Sequence, residues 1–570
     1  MRQTGGAQQS SQDIDTNPST LRDSTGGAVD CYRGLVVVMQ RNAGSTGARK
    51  LLAHIRIPTA LAILSLAIYL CAALLLYQQE QGGSAYIVER SSLAAAVSKV
   101  AHGTPFGAVF SDTMASFETV DKPLNILIEQ NVRGRPSGSL VPAVTDGSGL
   151  GYVVFATLAM QLFGPRLSAI IGLYFIITVM SALAFMWRYR DARLVAVPLY
   201  FAALTVILFT PLGSDLVFSD QFSVGGIRYF SLVGILPALH IFLEITDTRD
   251  TKAARRWPNL VALGIQVVIL VLATLIRMPI GVTLVALALA CLAVAWSHRR
   301  DIAIVRRTLF KAAYATLLGA AVVGALMVSL PKYVSEGRIV GTFWHRTFIS
   351  IPQVHPEWPF GNLRERYDCT KYIPDGLTAA NGVDRIGHCI WISYMLKHDI
   401  PMGTATVEIY GKRYEAALKE AFFDVLRSYP RQVLEAFTWY KQRLISRSIA
   451  QSLTFDLSGF ANLQIFLLLA SIGTALVFAV VSSVSVRSTE ILLLGGATVM
   501  FAAFSIVPYL VAWAVPTTTA ELLFFCLFAL GLAASVTIGT ILRSLRPEAK
   551  FGSRAGATMR RISDAGPSAS

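Results

Sequence analysis

Ten apolar runs, near residues 57–77, 167–187, 194–212, 229–246, 259–276, 279–296, 308–329, 461–484, 491–513 and 521–542, constrain this chain more than any other feature. Each approaches the roughly 20 residues that a helix needs to cross a hydrocarbon core of about 30 Å. The apolarity is continuous rather than alternating, which excludes a barrel. A bilayer offers no partner for an unpaired backbone amide, so helices remain. With 54% hydrophobic and 15% charged residues and a mean hydropathy of +0.53, little of the chain is left to cover a soluble surface. The expected fold is an all-α polytopic membrane protein of about ten transmembrane helices.

The net charge of +15 would suit a nucleic-acid partner if the cations formed one patch. Instead they follow the ends of runs: Arg188, Arg190 and Arg193; Arg249, Lys252, Arg255 and Arg256; Arg299, Arg300, Arg306 and Arg307. More flank the first run (Arg49, Lys50, Arg56) and follow the last (Arg543, Arg546, Lys550, Arg554, Arg560, Arg561). This is positive-inside patterning; it predicts cytoplasmic tails, an inner-membrane location and no nucleic-acid binding. Ten crossings return the chain to its starting side, so the apolar stretch 150–163 should not cross. At about 1.5 Å per residue its 14 residues reach only about 21 Å, and glycines before it and Gly164-Pro165 after it suit a re-entrant or interfacial helix. An eleventh span paired with a further unseen one would also restore parity.

The expected organisation follows. Residues 1–56, rich in Ser, Gly, Gln and Thr, read as a disordered cytoplasmic tail, with Met39 as a second candidate start; 57–77 is the first span. Residues 78–166 form a first extracytoplasmic loop with interfacial helices, and 167–329 hold spans two to seven. Residues 330–460 form a large, mainly helical extracytoplasmic domain, 461–542 hold spans eight to ten, and 543–570 form a basic tail. Within the large loop, residues 410–453 carry apolar positions at helical spacing around a break at Pro430. Their aromatic and basic residues suit a helix lying along the membrane surface. Cys369 and Cys389 are the two cysteines of this loop, and an oxidising compartment favours a disulfide between them; two small buried thiols are the alternative.

Chemistry is expected in the two long outer segments. Asp146, in "TDGSGLGY", stands among glycines immediately before the short apolar helix. A carboxylate partly shielded from water there can serve as a general base, and the glycines let a backbone or head group come close. A turn in which Asp146 caps the helix accounts for the same residues. No Walker A loop, zinc ligand set or nucleophile elbow is present, and the spacing of His388 and His398 matches no compact metal site.

The stretch 142–190, with its acidic residue, "GY" and an apolar run ending in "FG" after a long outer loop, resembles the polyprenyl-phosphate-sugar-dependent membrane glycosyltransferases of the GT-C superfamily. The likeness covers the layout of about the first 190 residues and the later outer loop. Many members carry an acidic pair soon after the first span. Here Glu80 and Glu89 stand nearby, and Asp112, Glu118 and Asp121 come later. The resemblance implies an inverting glycosyl transfer from a lipid-linked sugar to a lipid, glycan or protein acceptor, with Asp146 as base and Asp112 as second candidate. A lipid-phosphate leaving group needs positive charge near the outer surface. Arg228 and Arg277, at the outer ends of spans where the positive-inside bias would not put them, are the candidates, although snorkelling explains both. Trp344, His345, His355 and Trp358 are candidates for the acceptor site or for interface anchoring. A divalent metal is left open. An oligosaccharide ligase or polymerase, a lipid-linked-sugar transporter, and a receptor or scaffold using the large loop are the competing readings.

Overall fold

The computed structural model describes residues 87–118, 124–143, 149–189, 230–247, 256–276, 278–329, 343–354, 379–400, 412–452 and 488–511, with isolated positions between 525 and 541. Helix takes up 87% of these residues, so the all-α class holds, with one two-stranded ladder. Three described helices are long and apolar enough to cross a membrane: Ser168–Arg188, Trp257–Ile276 and Ile302–Ser329. The expected runs at 57–77, 194–212 and 461–484 lie outside the described residues, as does most of 521–542.

The first group of elements is α1 (Ile87–His102), β1 (Ala108–Phe110), α2 (Ser111–Glu118), α3 (Leu124–Arg133) and β2 (Leu140–Pro142). The strands pair antiparallel with Phe110 opposite Leu140 and Ala108 opposite Pro142. His102 joins α1 to α3 by donating from Nε2 to the Asn131 carbonyl at 2.9 Å, and Asn131 in turn donates to Ser116 of α2 at 2.8 Å. Residues 91–98 of α1 are buried on every side. Their small Ala and Ser side chains let α4 (Gly149–Phe163) approach closely along α1.

The bundle continues with α5 (Ser168–Arg188), α6 (Ile235–Thr246), α7 (Arg256–Ile276), α8 (Val282–Ser297), α9 (Ile302–Ser329) and, after the helical domain, α15 (Ser488–Val511). α7 is its hub and packs against α4, α5, α6 and α9; α8 and α15 close on α6. One apolar core runs from Leu93 of α1 through Phe155, Leu236, Leu270 and Ala286 to Phe501 of α15, so the first group of elements shares the core of the bundle.

Polar contacts fix the direction of the helices. Arg188 ends α5 against Glu244 and Asp247 at the end of α6, and Lys311, early in α9, reaches the same Glu244. Ser181 of α5 meets Gln266 of α7 at 2.7 Å. α5 and α7 are therefore antiparallel, with the start of α5 and the end of α7 at the end of the bundle away from Arg188. α4 begins and finishes at that same end. Its Gly151 abuts Leu275 and Ile276, and Phe163 lies against Gly172 near the start of α5. Gly164 then takes φ +88°, the left-handed cap that ends a helix, and Pro165 blocks its continuation.

A second core belongs to the helical domain of α10 (Phe343–Val354), α11 (Ala379–Lys397), α12 (Lys412–Ser428), α13 (Pro430–Glu435) and α14 (Lys441–Ser452), with a π-helical turn at Ala436–Tyr440 between the last two. Trp391, Tyr414 and Phe348 are fully buried at its centre. Burial of each such side chain contributes about 1.5–3 kcal/mol, enough for the domain to hold a core of its own.

Candidate functional site

The end of the bundle away from Arg188 brings together the start of α4 and the finish of α7. A Cβ built on Gly151 would lie 2.5 Å from the Ile276 backbone nitrogen, so only glycine permits this approach. The two helix ends thus meet backbone to backbone. Asp146 lies five residues before Gly151 in the chain, and Arg277 one residue after Ile276; both lie outside the described residues, as do Arg228, His355, Trp358 and Cys369. α15 packs against the short 3-10 turn Met278–Gly281 that follows Arg277, and also against α10, the π turn and α14. α15 thus links this turn of the bundle to the helical domain.

Asp112 sits in the first turn of α2 and is exposed. The ladder holds it: Ser111 donates its backbone N–H to the Ser139 carbonyl at 2.9 Å, which brings Ser137 over the carboxylate. Ser137 Oγ donates to Asp112 Oδ2, and Ser111 Oγ to Oδ1 at 3.4 Å. The chain leaves β2 toward residue 146 from the opposite end of the ladder, beside Gly107, whose carbonyl accepts from Ala143 N–H at 2.8 Å. The ladder thus separates Asp112 from the start of the segment that contains Asp146.

Trp344 and His345 open α10, where backbone N–H groups lack partners within the helix. Glu415 of α12 supplies them: its carboxylate accepts from Trp344 N–H at 2.7 Å and His345 N–H at 3.1 Å. Burial pushes the Glu415 carboxyl up from its ordinary value, against the pull of those two donors. The Trp344 ring packs between Phe422 and Phe423, with Lys419 Nζ 5.7 Å from its centroid. His345 Nδ1 pairs with Tyr414 Oη at 2.8 Å, and Gly387 lies flush against both. Of the four aromatic and histidine candidates in the large loop, the two that are described face the helical domain's own packing. Cys389 is disulfide-bonded and fully buried. The His398 ring lies tilted against Tyr394, their centroids 4.2 Å apart. Among the described residues no three His, Cys, Asp or Glu side chains gather as a metal site would need.

Sequence reasoning missed the polar cluster at the other end. Both Glu244 oxygens are engaged, Oε1 by Arg188 and Oε2 by Lys311 at 2.8 Å, and Arg188 also holds Asp247 at 2.9 Å. Deeper in, Gln266 Nε2 donates to the Ser181 carbonyl at 2.8 Å, which fixes its amide orientation. Its contact with His240 Nδ1 at 3.1 Å is then a donation too, and the hydrogen of the neutral imidazole belongs on Nε2. The signal available was Glu244 and His240 inside an apolar run; their partners, 85 or fewer residues away in sequence, were not marked by any spacing.

Comparison with protein-family models, with curated proteins and with solved structures found no match.

Proposed function

We propose that this protein is an integral inner-membrane glycosyltransferase, which moves a sugar from a polyprenyl-phosphate carrier to an envelope lipid, glycan or protein at the outer face. The observation that carries this reading is the backbone contact between Gly151 and Ile276. It ties the helix that follows Asp146 in the chain to the helix that precedes Arg277, so a general base and a phosphate-binding cation have their attachment points at one end of the bundle. α4, which starts and stops at that end, then lies within the outer interface without crossing, and its N-terminal amides add a partial positive charge.

In this mechanism the acceptor hydroxyl attacks the anomeric carbon of the donor. Its proton passes to the Asp146 carboxylate, and the bond to the phosphate oxygen breaks with inversion, the phosphate leaving with the electron pair. Arg277 and Arg228 stabilise the anion as it forms. Asp112, already accepting from two serine hydroxyls, is the second choice as base. Trp344 and His345 support the acceptor side through the position of α10. Both tails lie in the cytoplasm, and the Arg188–Glu244–Lys311 end faces it. The test is replacement of Asp146 and Asp112 singly by Asn, and Arg277 by Gln, with membrane insertion verified. Loss of the envelope glycan that gene deletion also removes supports the reading; unchanged glycans in all three variants refute it.

A lipid-linked-sugar transporter is the second reading, favoured by the ionisable cluster around Glu244 within the bundle. Translocation of a labelled lipid-linked sugar by reconstituted protein, lost in Glu244→Gln but kept in Asp146→Asn, would select it.

A further inference from the structure

The π turn at Ala436–Tyr440 changes which residues of the 430–452 helix face outward. Its backbone signature is the Lys441 N–H donating to the Ala436 carbonyl five residues back. In an uninterrupted α-helix, residues five apart point about 140° away from each other. Here Ala436 and Lys441 are both fully buried, and Leu434 and Trp439, also five apart, are both exposed, at 63% and 55%. The outward face thus carries a leucine and a tryptophan, with the Arg443 guanidinium 4.7 Å from the centre of the Trp439 ring. Arg431, 86% exposed, lies on the same stretch and binds Glu435 at 2.8 Å. The π turn and α14 also touch α15, whose residues 491–511 contain no charged side chain.

From this arrangement we propose that the outward face of residues 431–443 is a docking surface for the anionic headgroup layer of the membrane, with Leu434 and Trp439 entering below the headgroups and Arg443 and Arg431 contacting lipid phosphates. The occupant is argued from three features. α15 needs hydrocarbon around its apolar length, which brings the lipid surface to the elements packed on it. Tryptophan is at its best where one side is apolar and the other wet. The exposed charges of this face are Arg431, Glu435 and Arg443, two cations against one anion, and the net positive charge complements anionic lipid. The proposal does not depend on sugar transfer.

The test uses full-length protein in nanodiscs, comparing wild type with Trp439→Phe so that the difference reports one ring. Lipids brominated near the headgroup end of their chains should quench that component while aqueous acrylamide does not, and quenching should deepen when phosphatidylglycerol is added. In Arg431→Gln/Arg443→Gln that dependence should weaken, roughly fivefold per arginine in lipid preference. Quenching by acrylamide alone would put the face in water, and shielding from both quenchers would put it against protein. Bromolipid quenching that ignores phosphatidylglycerol would remove the anionic contact. Each of these overturns the proposal. If the double variant does not fold, the wild-type and Trp439→Phe difference, measured with and without phosphatidylglycerol, decides alone.

Discussion

Gly151 and Ile276 meet so closely that a methyl group on the first would stand 2.5 Å from the backbone nitrogen of the second. Neither backbone can yield without moving a helix end. Gly151→Ala should therefore cost about 1–3 kcal/mol of stability through overpacking. If the contact positions a reaction, transfer should fall by up to about a hundredfold, since small displacements of a catalytic group are felt steeply. Thermal melting of the solubilised protein, set beside glycan transfer in membranes, checks both. A variant as stable and as active as the parent would mean that α4 is free to shift and that the proposed site is not held there.

Glu244 serves two cations from two helices, Arg188 of α5 and Lys311 of α9, and is almost fully buried. Glu244→Gln leaves both cations facing an amide and should destabilise the bundle by about 3–5 kcal/mol, as loss of one partner from a buried pair does. Arg188→Gln, which frees Glu244 to Lys311 alone, should cost less because one full pair survives. Melting temperatures of the two variants give the ranking. Equal melting of both would show that the cluster is not organised around the carboxylate.

The helices were legible because each carries its own pattern. The run read at 167–187 is Ser168–Arg188, that at 308–329 lies within Ile302–Ser329, and the short stretch 150–163 is Gly149–Phe163, with its stop at Gly164-Pro165. The break at Pro430 was legible for the same local reason. What could not be read depends on partners distant in the chain. The ladder joins two three-residue strands across two helices, too short for any alternation to register. Arg188 read as a topology signal, whereas in the fold it is also half of an ion pair. Glu415 lies within the 410–453 stretch read as helical, and only the packing of α12 on α10 makes it the cap for Trp344 and His345. The π turn has no spacing signature, because one extra residue in a helical repeat resembles ordinary irregularity.

Glu415 links that cap to pH. Its carboxyl is pushed above the ordinary value of 4.5 by burial. A carboxyl raised in the folded state binds its proton more tightly there than in the unfolded chain. Its contribution to stability is therefore greatest below about 4.5 and declines as pH rises through the raised value. Glu415→Gln keeps an acceptor and cannot ionise, so the melting difference between wild type and this variant should shift against the wild type across that window. Glu415→Ala should be less stable at every pH, by about 1–3 kcal/mol, because two backbone donors lose their acceptor. Parallel curves for wild type and the glutamine variant would contradict the assignment.

Lys441 gives the opposite slope at higher pH. The π turn rotates it inward until none of it is exposed, and desolvation lowers its amine from 10.5 to about 7. Between those two values the unfolded chain holds a proton that the folded one does not, so stability should increase with pH, by about 1.4 kcal/mol per unit at most. Below about 7 both states are protonated and the slope vanishes. Lys441→Met has no proton to lose, and its melting temperature relative to wild type should fall steadily as pH is raised from 7 toward 10. The comparison isolates this amine from the other lysines, which both proteins share. A wild-type curve that runs parallel to the methionine variant over that range would mean that the folded amine keeps its proton, and that its surroundings supply enough water or counter-charge to solvate it.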